Sequence, residues 1–234
     1  MALTAVDPSF RMDLHVHSRH SRDARGSVLD IAWQARRAGL HGFAVTDHDT
    51  LQGHKEIGEA AQRTGLLIVP GVEVTTAEGH LIALGVRAPV PCGLGLAETL
   101  ELLQAQDAVG VAAHPLRLFT GIGPSGLRDR AHEGVLHAAE ARNARERPLV
   151  QENTERLCRE LGLAMTGGSD AHLVKETGRV WTRFDEPLAT VEDVLDAVRA
   201  GRTVAEGGRT PRRWILQHRL GMLRDRLGGG RKDA

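Results

Sequence analysis

The sequence predicts an α/β domain whose parallel sheet curls into a barrel. Three observations predict it. Short apolar runs of strand length alternate with amphipathic stretches of helix length over most of the chain, the pattern of a parallel sheet covered by helices. Most of these runs end in His, Asp or Glu, and side chains from many strand ends converge on one mouth in a barrel; an open doubly wound sheet gathers its site at a single crevice. The third observation is size. A chain of 234 residues, 41% hydrophobic and 26% charged, is one globular domain with room for a substantial core. About seven strand–helix units are countable, so a full eight-stranded barrel is not expected.

Taken in order, residues 1–10 carry no pattern and are expected to be a loose terminus, and Arg11–Val16 is the first strand. Ser27 and Asp30 form a capping-box signature ahead of a helix with Ile31, Ala35 and Ala38 on its apolar stripe, and Gly39 ends it. Gly42–Thr46 is the second strand, Leu51–Arg63 the second helix, and Leu66–Val69 the third strand. Leu81–Val86 is the fourth, placed to pair with Val72–Thr76 across the Ala77-Glu78-Gly79 turn. Leu96–Ala108 reads as helix, Val109–Ala113 as strand, Leu116–Arg130 as a Gly-rich loop and Val135–Ala139 as a sixth short strand. Leu149–Leu161 is helical, Leu163–Thr166 a seventh strand, Val191–Ala200 a helix and Thr203–Ala205 a strand-like run. The barrel unit is thus expected over residues 11–210, a basic helix packed on it over 211–227, and a flexible tail over 228–234.

The chemistry begins at Asp13-Leu14-His15-Val16-His17, where two imidazoles one residue apart point to the same side of a strand. Further strand ends carry Thr46-Asp47-His48-Asp49, Gly71-Val72-Glu73, Ala113-His114-Pro115 and Gly168-Ser169-Asp170-Ala171-His172, while His80 opens the fourth strand. Twelve His in a chain without Tyr is itself a sign of metal. Cys92 and Cys158 have no paired spacing and read as reduced thiols. Thirty basic residues balance thirty acidic ones, so no global field draws the chain to nucleic acid or membrane. With no charged-then-apolar leader and no apolar run near the length of a membrane span, a cytoplasmic protein is expected.

These motifs, in this order over roughly Arg11 to His172, resemble the PHP (polymerase and histidinol phosphatase) family, and most of all its stand-alone metal-dependent phosphoesterases. The resemblance implies a distorted seven-stranded TIM-like barrel with up to three metal ions. It carries metal roles to His15, His17, Asp23, His48, Glu73, His80, His114, Asp170 and His172, with Glu73, Asp170 and His172 as catalytic candidates. Imidazole and carboxylate without thiolate suit two or three ions of zinc, manganese or iron, and Glu73 is the candidate bridge. Asp13 and Asp47 are placed to orient neighbouring His rings. In the sixth strand Glu140, His137 and Asn143 are all candidates; Glu140 is favoured as a ligand, and alternation puts His137 on the opposite face. His20, His41, His54, His132 and His218 have no motif around them and read as surface residues.

Two features point elsewhere. Gly121-Ile122-Gly123-Pro124-Ser125-Gly126 has the form of a dinucleotide fingerprint, but the partnering acidic residue is missing and Pro124 would disturb the helix start. It reads as a flexible loop over the mouth. Trp214, Leu216, Leu220 and Leu223 give the basic terminal helix an apolar stripe that would pack on the barrel.

Three divalent ions outweigh the three or four carboxylates of the set, so the mouth is expected to hold a phosphate and activate a water. Arg19, Arg117 and Arg142 are candidate phosphate ligands, with Arg145 nearby. The expected activity is hydrolysis of a phosphate ester on a nucleotide or other small phosphorylated metabolite, with no obligate protein partner. The resemblance also admits nucleoside 3′,5′-bisphosphates, short oligonucleotides or nucleic-acid ends, histidinol phosphate, and a non-catalytic metal module.

Overall fold

The computed structural model describes residues 9–227; the expected loose terminus and tail lie, apart from residues 9 and 10, outside the described residues. Nine strands form one sheet: β1 (Phe10–Val16), β2 (Gly42–Val45), β3 (Leu67–Thr75), β4 (His80–Leu84), β5 (Val109–Ala112), β6 (Ala138–Asn143), β7 (Ala164–Gly168), β8 (Val180–Phe184) and β9 (Val204–Gly207). Seven helices accompany them: α1 (Val28–Arg37), α2 (Ile57–Thr64), α3 (Leu96–Gln104), α4 (Gly123–His132), α5 (Pro148–Leu161), α6 (Val191–Arg199) and α7 (Arg212–Leu227).

The spatial order is β7-β6-β5-β4-β3-β2-β1-β8-β9. The sheet is nearly closed on itself: Val16 bridges Ala171 just beyond β7, His15 O accepts from Asp170 N at 2.9 Å, and Thr182 Oγ1 of β8 accepts from Gly167 N at 2.9 Å. The expected barrel is therefore present, but with nine strands rather than seven, and mixed rather than wholly parallel. Strand β4 runs antiparallel to both neighbours, and β8 and β9 are antiparallel additions beside β1.

Several boundaries moved for identifiable reasons. Strand β3 runs unbroken through Pro70-Gly71, where two strands were expected. Its pairing passes there from β2 (Val45 opposite Pro70) to β4 (Gly71 opposite Leu84), so the missing proline N–H falls at the handover and costs no ladder bond. The stretch read as a Gly-rich loop contains α4, with Pro124 in the first turn. Proline is tolerated there because that N–H has no intrahelical acceptor, so Pro124 starts the helix rather than disturbing it. Strand β6 lies three to four residues later than expected, which puts Glu140 and Asn143 inside it. The capping box of α1 forms as expected, Ser27 Oγ accepting from Asp30 N and the Asp30 carboxylate from Ser27 N, both at 3.1 Å.

The barrel interior is filled by Met12, Leu14, Val69, Ile82, Leu84, Val111 and Phe184, each stabilising the fold by roughly 1.5–3 kcal/mol on burial. Helix α6 adds Val194, Leu195 and Val198 to this cluster and touches β3, β5 and β7, which are not neighbours in the sheet. It therefore plugs the end opposite the strand-end histidines. Helices α1 and α2 cover the outer face of β1–β3, and α3 and α5 cover the other side. Among the described residues no helix is long and apolar enough to cross a membrane.

Candidate metal centre

At the other end, Glu73 projects from β3 and is buried to 1% exposure. Five imidazoles face its carboxylate: His15 Nε2, His17 Nε2 and His48 Nδ1 lie 3.2, 3.2 and 3.1 Å from Oε2, and His80 Nδ1 and His114 Nε2 lie 2.9 and 3.0 Å from Oε1. Asp170 Oδ1 stands 3.5 Å from His17 Nε2 and 3.4 Å from His172 Nδ1. Asp23 Oδ2 stands 3.2 Å from His172 Nε2 and 3.7 Å from His48 Nε2. Four overlapping triads result: His17–His48–His172, His15–His17–Asp170, His15–Glu73–His114 and His48–Glu73–His80. His80 belongs to the mouth although it opens its strand. Because β4 is antiparallel to β3, its first residue sits where the parallel strands end.

The buried charges of the cluster hold one another. Burial pushes the Glu73 carboxyl up, but His15 and His48 outweigh this and hold it well below the usual range; Asp170 is buried likewise and held low by Arg117 and His15. Burial would lower His15, yet Glu140, Glu73 and Asp170 hold it well above its ordinary value. His17 rises to about 9 against burial through Asp170 and Glu73. His48 falls to about 4 through burial and the charge on His17; burial also lowers His114 and His172, reinforced by Arg117 and His17 respectively. The carboxylates thus favour positive charge where the His15 and His17 rings meet. The two Nε2 atoms are only 3.0 Å apart, and Asp23 Oδ1 is buried without a partner among the described residues. Imidazoles converging on shared carboxylates with no thiolate among them fit divalent cations.

The supporting residues differ from expectation. Neither Asp13 nor Asp47 contacts a histidine ring. Asp13 accepts from Ser169 N and Gly178 N, both at 2.8 Å, bracing the β7 end against β1; burial raises its carboxyl to about 6 despite those bonds. Asp47 acts through Ser21: it accepts from Ser21 Oγ at 3.1 Å, and that hydroxyl is 3.2 Å from His17 Nδ1 and accepts from His48 N at 2.9 Å. No motif marked Ser21.

Glu140 stands behind His15 rather than among the triads. Its Oε1 is 3.0 Å from His15 Nδ1, and Oε2 accepts from His114 N at 2.8 Å and Asn143 Nδ2 at 2.9 Å. Asn143 also donates to Asp170 Oδ2 at 3.2 Å. Both side chains point inward because β6 has a bulge between Glu140 and Arg142, which reverses the alternation beyond it. The same bulge turns Arg142 outward onto Glu155 of α5 at 2.6 Å, and Arg19 pairs with Glu56 on the surface at 2.7 Å. Neither arginine reaches the mouth, which corrects the expectation for both. Arg117 does reach it: Nη2 lies 3.0 Å from Asp170 Oδ2 and 3.2 Å from Asn143 Oδ1, while Nε pairs with Glu146. His137 is exposed, as alternation required.

Backbone shape carries the same signature. His114 (φ 28°) and Asp170 (φ 51°) occupy the left-handed region, a conformation costly for such residues and concentrated at functional sites. Gly168 is required where it stands: a Cβ would lie 2.3 Å from His15 Cβ and 2.7 Å from Glu140 Oε1.

Helix α7 packs here as well, and not by its leucines. Leu216, Leu220 and Leu223 are 58%, 47% and 51% exposed, whereas His218 is buried. On a helical wheel Trp214, His218, Met222 and Asp225 share one face and the three leucines lie opposite, so grouping Trp214 with them misplaced the stripe. His218, read as a surface residue, reaches the mouth.

Comparison with known proteins agrees with this architecture. The sequence matches the PHP domain description over residues 13–112 and the PHP-associated description over residues 152–203. An uncharacterized protein of Methanocaldococcus jannaschii is 30% identical over 184 residues, 75% of this chain and 71% of the relative. The chain belongs to the PHP family. A 3′,5′-nucleoside bisphosphate phosphatase of Chromobacterium violaceum is 38% identical over a shorter PHP segment of 84 residues, 34% of this chain and 29% of that enzyme. A crystal structure from Bacteroides vulgatus, a two-domain protein containing a predicted PHP-like metal-dependent phosphoesterase, superposes with a TM-score of 0.70 at 21% identity, covering 92% of this chain and 70% of that one. The PHP fold is thus shared over nearly the whole chain.

Proposed function

We propose that the chain hydrolyses phosphate monoesters of small phosphorylated metabolites, nucleotides foremost, with two or three divalent ions of zinc, manganese or iron. The observation that carries this reading is the single Glu73 carboxylate faced by five imidazoles, with a guanidinium, Arg117, beside it on Asp170. When bound, such ions supply a water acidic enough to ionise near neutral pH and a clamp on phosphoryl oxygens.

The protein side of the mechanism follows from position. Glu73 would be shared between neighbouring ions, since three rings face one of its oxygens and two face the other. His17, His48, His172 and Asp23 form the outer position, and His15, His80 and His114 lie on the inner side. Glu140 holds the His15 ring from behind, which fixes the nitrogen presented to the mouth. Asp170 stays ionised beside Arg117 and faces His172 Nδ1 at 3.4 Å, so these two side chains would help to hold an ion on that side of the mouth. Arg117 is the one expected arginine that reaches the mouth, where its planar donors suit a phosphate.

The bisphosphate phosphatase of Chromobacterium violaceum supports a nucleotide substrate, as does Arg117 as a second positive point beside the ion positions. A second reading, hydrolysis at the ends of short oligonucleotides, is favoured by Arg213, Arg219 and Arg224 on α7, which line grooves next to His218. The free thiols Cys92 and Cys158 are consistent with a cytoplasmic location. A panel of phosphomonoesters, nucleoside bisphosphates and short oligonucleotides against the manganese- or zinc-loaded protein tests these readings. Monoester turnover with little salt dependence is expected; turnover of oligonucleotides alone, falling steeply with salt, would reverse the preference.

A further inference from the structure

Helix α7 touches two of the chain segments that supply the outer ion position. The first is the loop after β1 that carries Asp23. His218 Nε2 lies 2.5 Å from the Asp23 carbonyl oxygen; a carbonyl only accepts, so that nitrogen carries the hydrogen and donates. Two residues further on, Arg25 pairs with Asp225 of α7. The second segment is the one that follows His172. The His218 ring lies 5.0 Å from the His172 ring, Lys175 donates to Gln217 at 2.6 Å, and Lys175 and Arg179 stand 4.9 and 4.6 Å over the Trp214 ring. All of these contacts come from the wheel face opposite the exposed leucines or from its margins.

Asp23 is the carboxylate most in need of such support. Its side chain is 30% exposed, against 1% for Glu73 and 3% for Asp170. It lies in an irregular loop rather than on a strand, and one of its oxygens is buried with no partner among the described residues. The loop meets the His172 segment directly through Arg25 N donating to His172 O at 2.9 Å.

We infer that α7 is a structural part of the metal centre, clamping the Asp23 loop against the His172 segment through His218, so that the affinity of the outer ion is set by a helix outside the strand–helix units that supply the ligands. His218 is a positioning residue in this arrangement: it acts on the ion through Asp23. The inference rests on the metal-dependent reading and goes beyond it in making the outer position separately adjustable.

The test is calorimetric titration of the metal-stripped full chain with Mn²⁺. In the wild type at least two binding events are expected; one event or none would overturn the multinuclear reading, and this inference with it, before any variant is compared. His218→Leu is expected to weaken one event by about 10–100-fold, the usual effect of removing a partner that orients a ligand, and to leave the others unchanged. His218→Gln, which restores an N–H donor for the Asp23 carbonyl, should recover most of that loss; a residue acting only through packing would not be rescued in this way. Arg25→Ala removes an exposed tether without disturbing the core, and a loss of about two- to fivefold in the same event is expected. It remains informative if the leucine variant fails to fold. Equal weakening of all events, or wild-type binding by every folded variant, would overturn the clamp while leaving the phosphoesterase reading intact.

Discussion

Metal loading should expel protons, and the number can be worked out from the site. In the metal-free protein His15 is held well above its ordinary value and His17 is raised to about 9, so at pH 7.5 both rings are charged. His48, His114 and His172 are lowered and already neutral there, while Glu73, Asp170 and Asp23 are held low and already ionised. Among these groups His15 and His17 are the ones with protons to lose, and ligation requires neutral imidazole. About two protons per chain should be released at pH 7.5, and the number should fall as the pH passes through about 9 and His17 deprotonates beforehand. Apparent affinity should rise with pH across this range, because each proton displaced is a cost that vanishes once the ring is neutral. Titrating the metal-stripped protein in buffers of different ionisation enthalpy gives the count as the slope of observed heat against buffer enthalpy. Release of no protons at pH 7.5 would refute the charge balance; release of four or more would show that the lowered histidines are also protonated.

Other expectations concern single residues. Glu73→Gln should reduce turnover at least about a hundredfold while circular dichroism shows the fold retained, since the barrel core does not include this side chain; near-normal turnover at saturating metal would remove Glu73 from the bridge. Arg117→Ala should lower kcat/KM by about 10- to 200-fold, the loss of one charged hydrogen bond, with ion content unchanged by elemental analysis. A loss seen on a nucleoside bisphosphate but not on an aryl phosphate would place Arg117 on the non-reacting phosphate, and no loss on either would make it structural. Gly168→Ala should lower Tm by several degrees, an overpacking cost of about 1–3 kcal/mol, and weaken metal binding through displacement of His15 or Glu140; an unchanged Tm would contradict the close contact at that glycine.

The candidate ligands were legible because each stands at a strand end in a short motif, and strand ends converge in a barrel. What could not be read depends on departures from regular periodicity. The β6 bulge adds one residue and so decides that Asn143 faces the mouth and Arg142 does not; a period of two, applied through the strand, cannot locate it. Reversal of β4, by contrast, was legible in the short Ala77-Glu78-Gly79 turn to Val72–Thr76, and it makes a strand-opening residue, His80, equivalent to the strand-closing ones. Read from sequence, the third strand ends at Val69 and Pro124 disturbs a helix start, yet Pro70 sits at a change of sheet partner and Pro124 at a helix start, where no backbone N–H is needed. The terminal helix had a readable stripe, but its wheel admits two faces. The choice fell to His218, Lys175 and Arg25, whose interactions are long-range and leave no local pattern.

The central claim is that one carboxylate-bridged cluster of divalent ions performs phosphate-ester hydrolysis. Its most direct test is reconstitution of the stripped chain with measured equivalents of Mn²⁺ or Zn²⁺ while turnover of a phosphomonoester and bound metal are followed together. Little activity is expected at the first equivalent, with a steep rise as the second binds and a plateau at two or three ions per chain. Full activity at one bound ion, or no phosphomonoester hydrolysis at two or more, would contradict it.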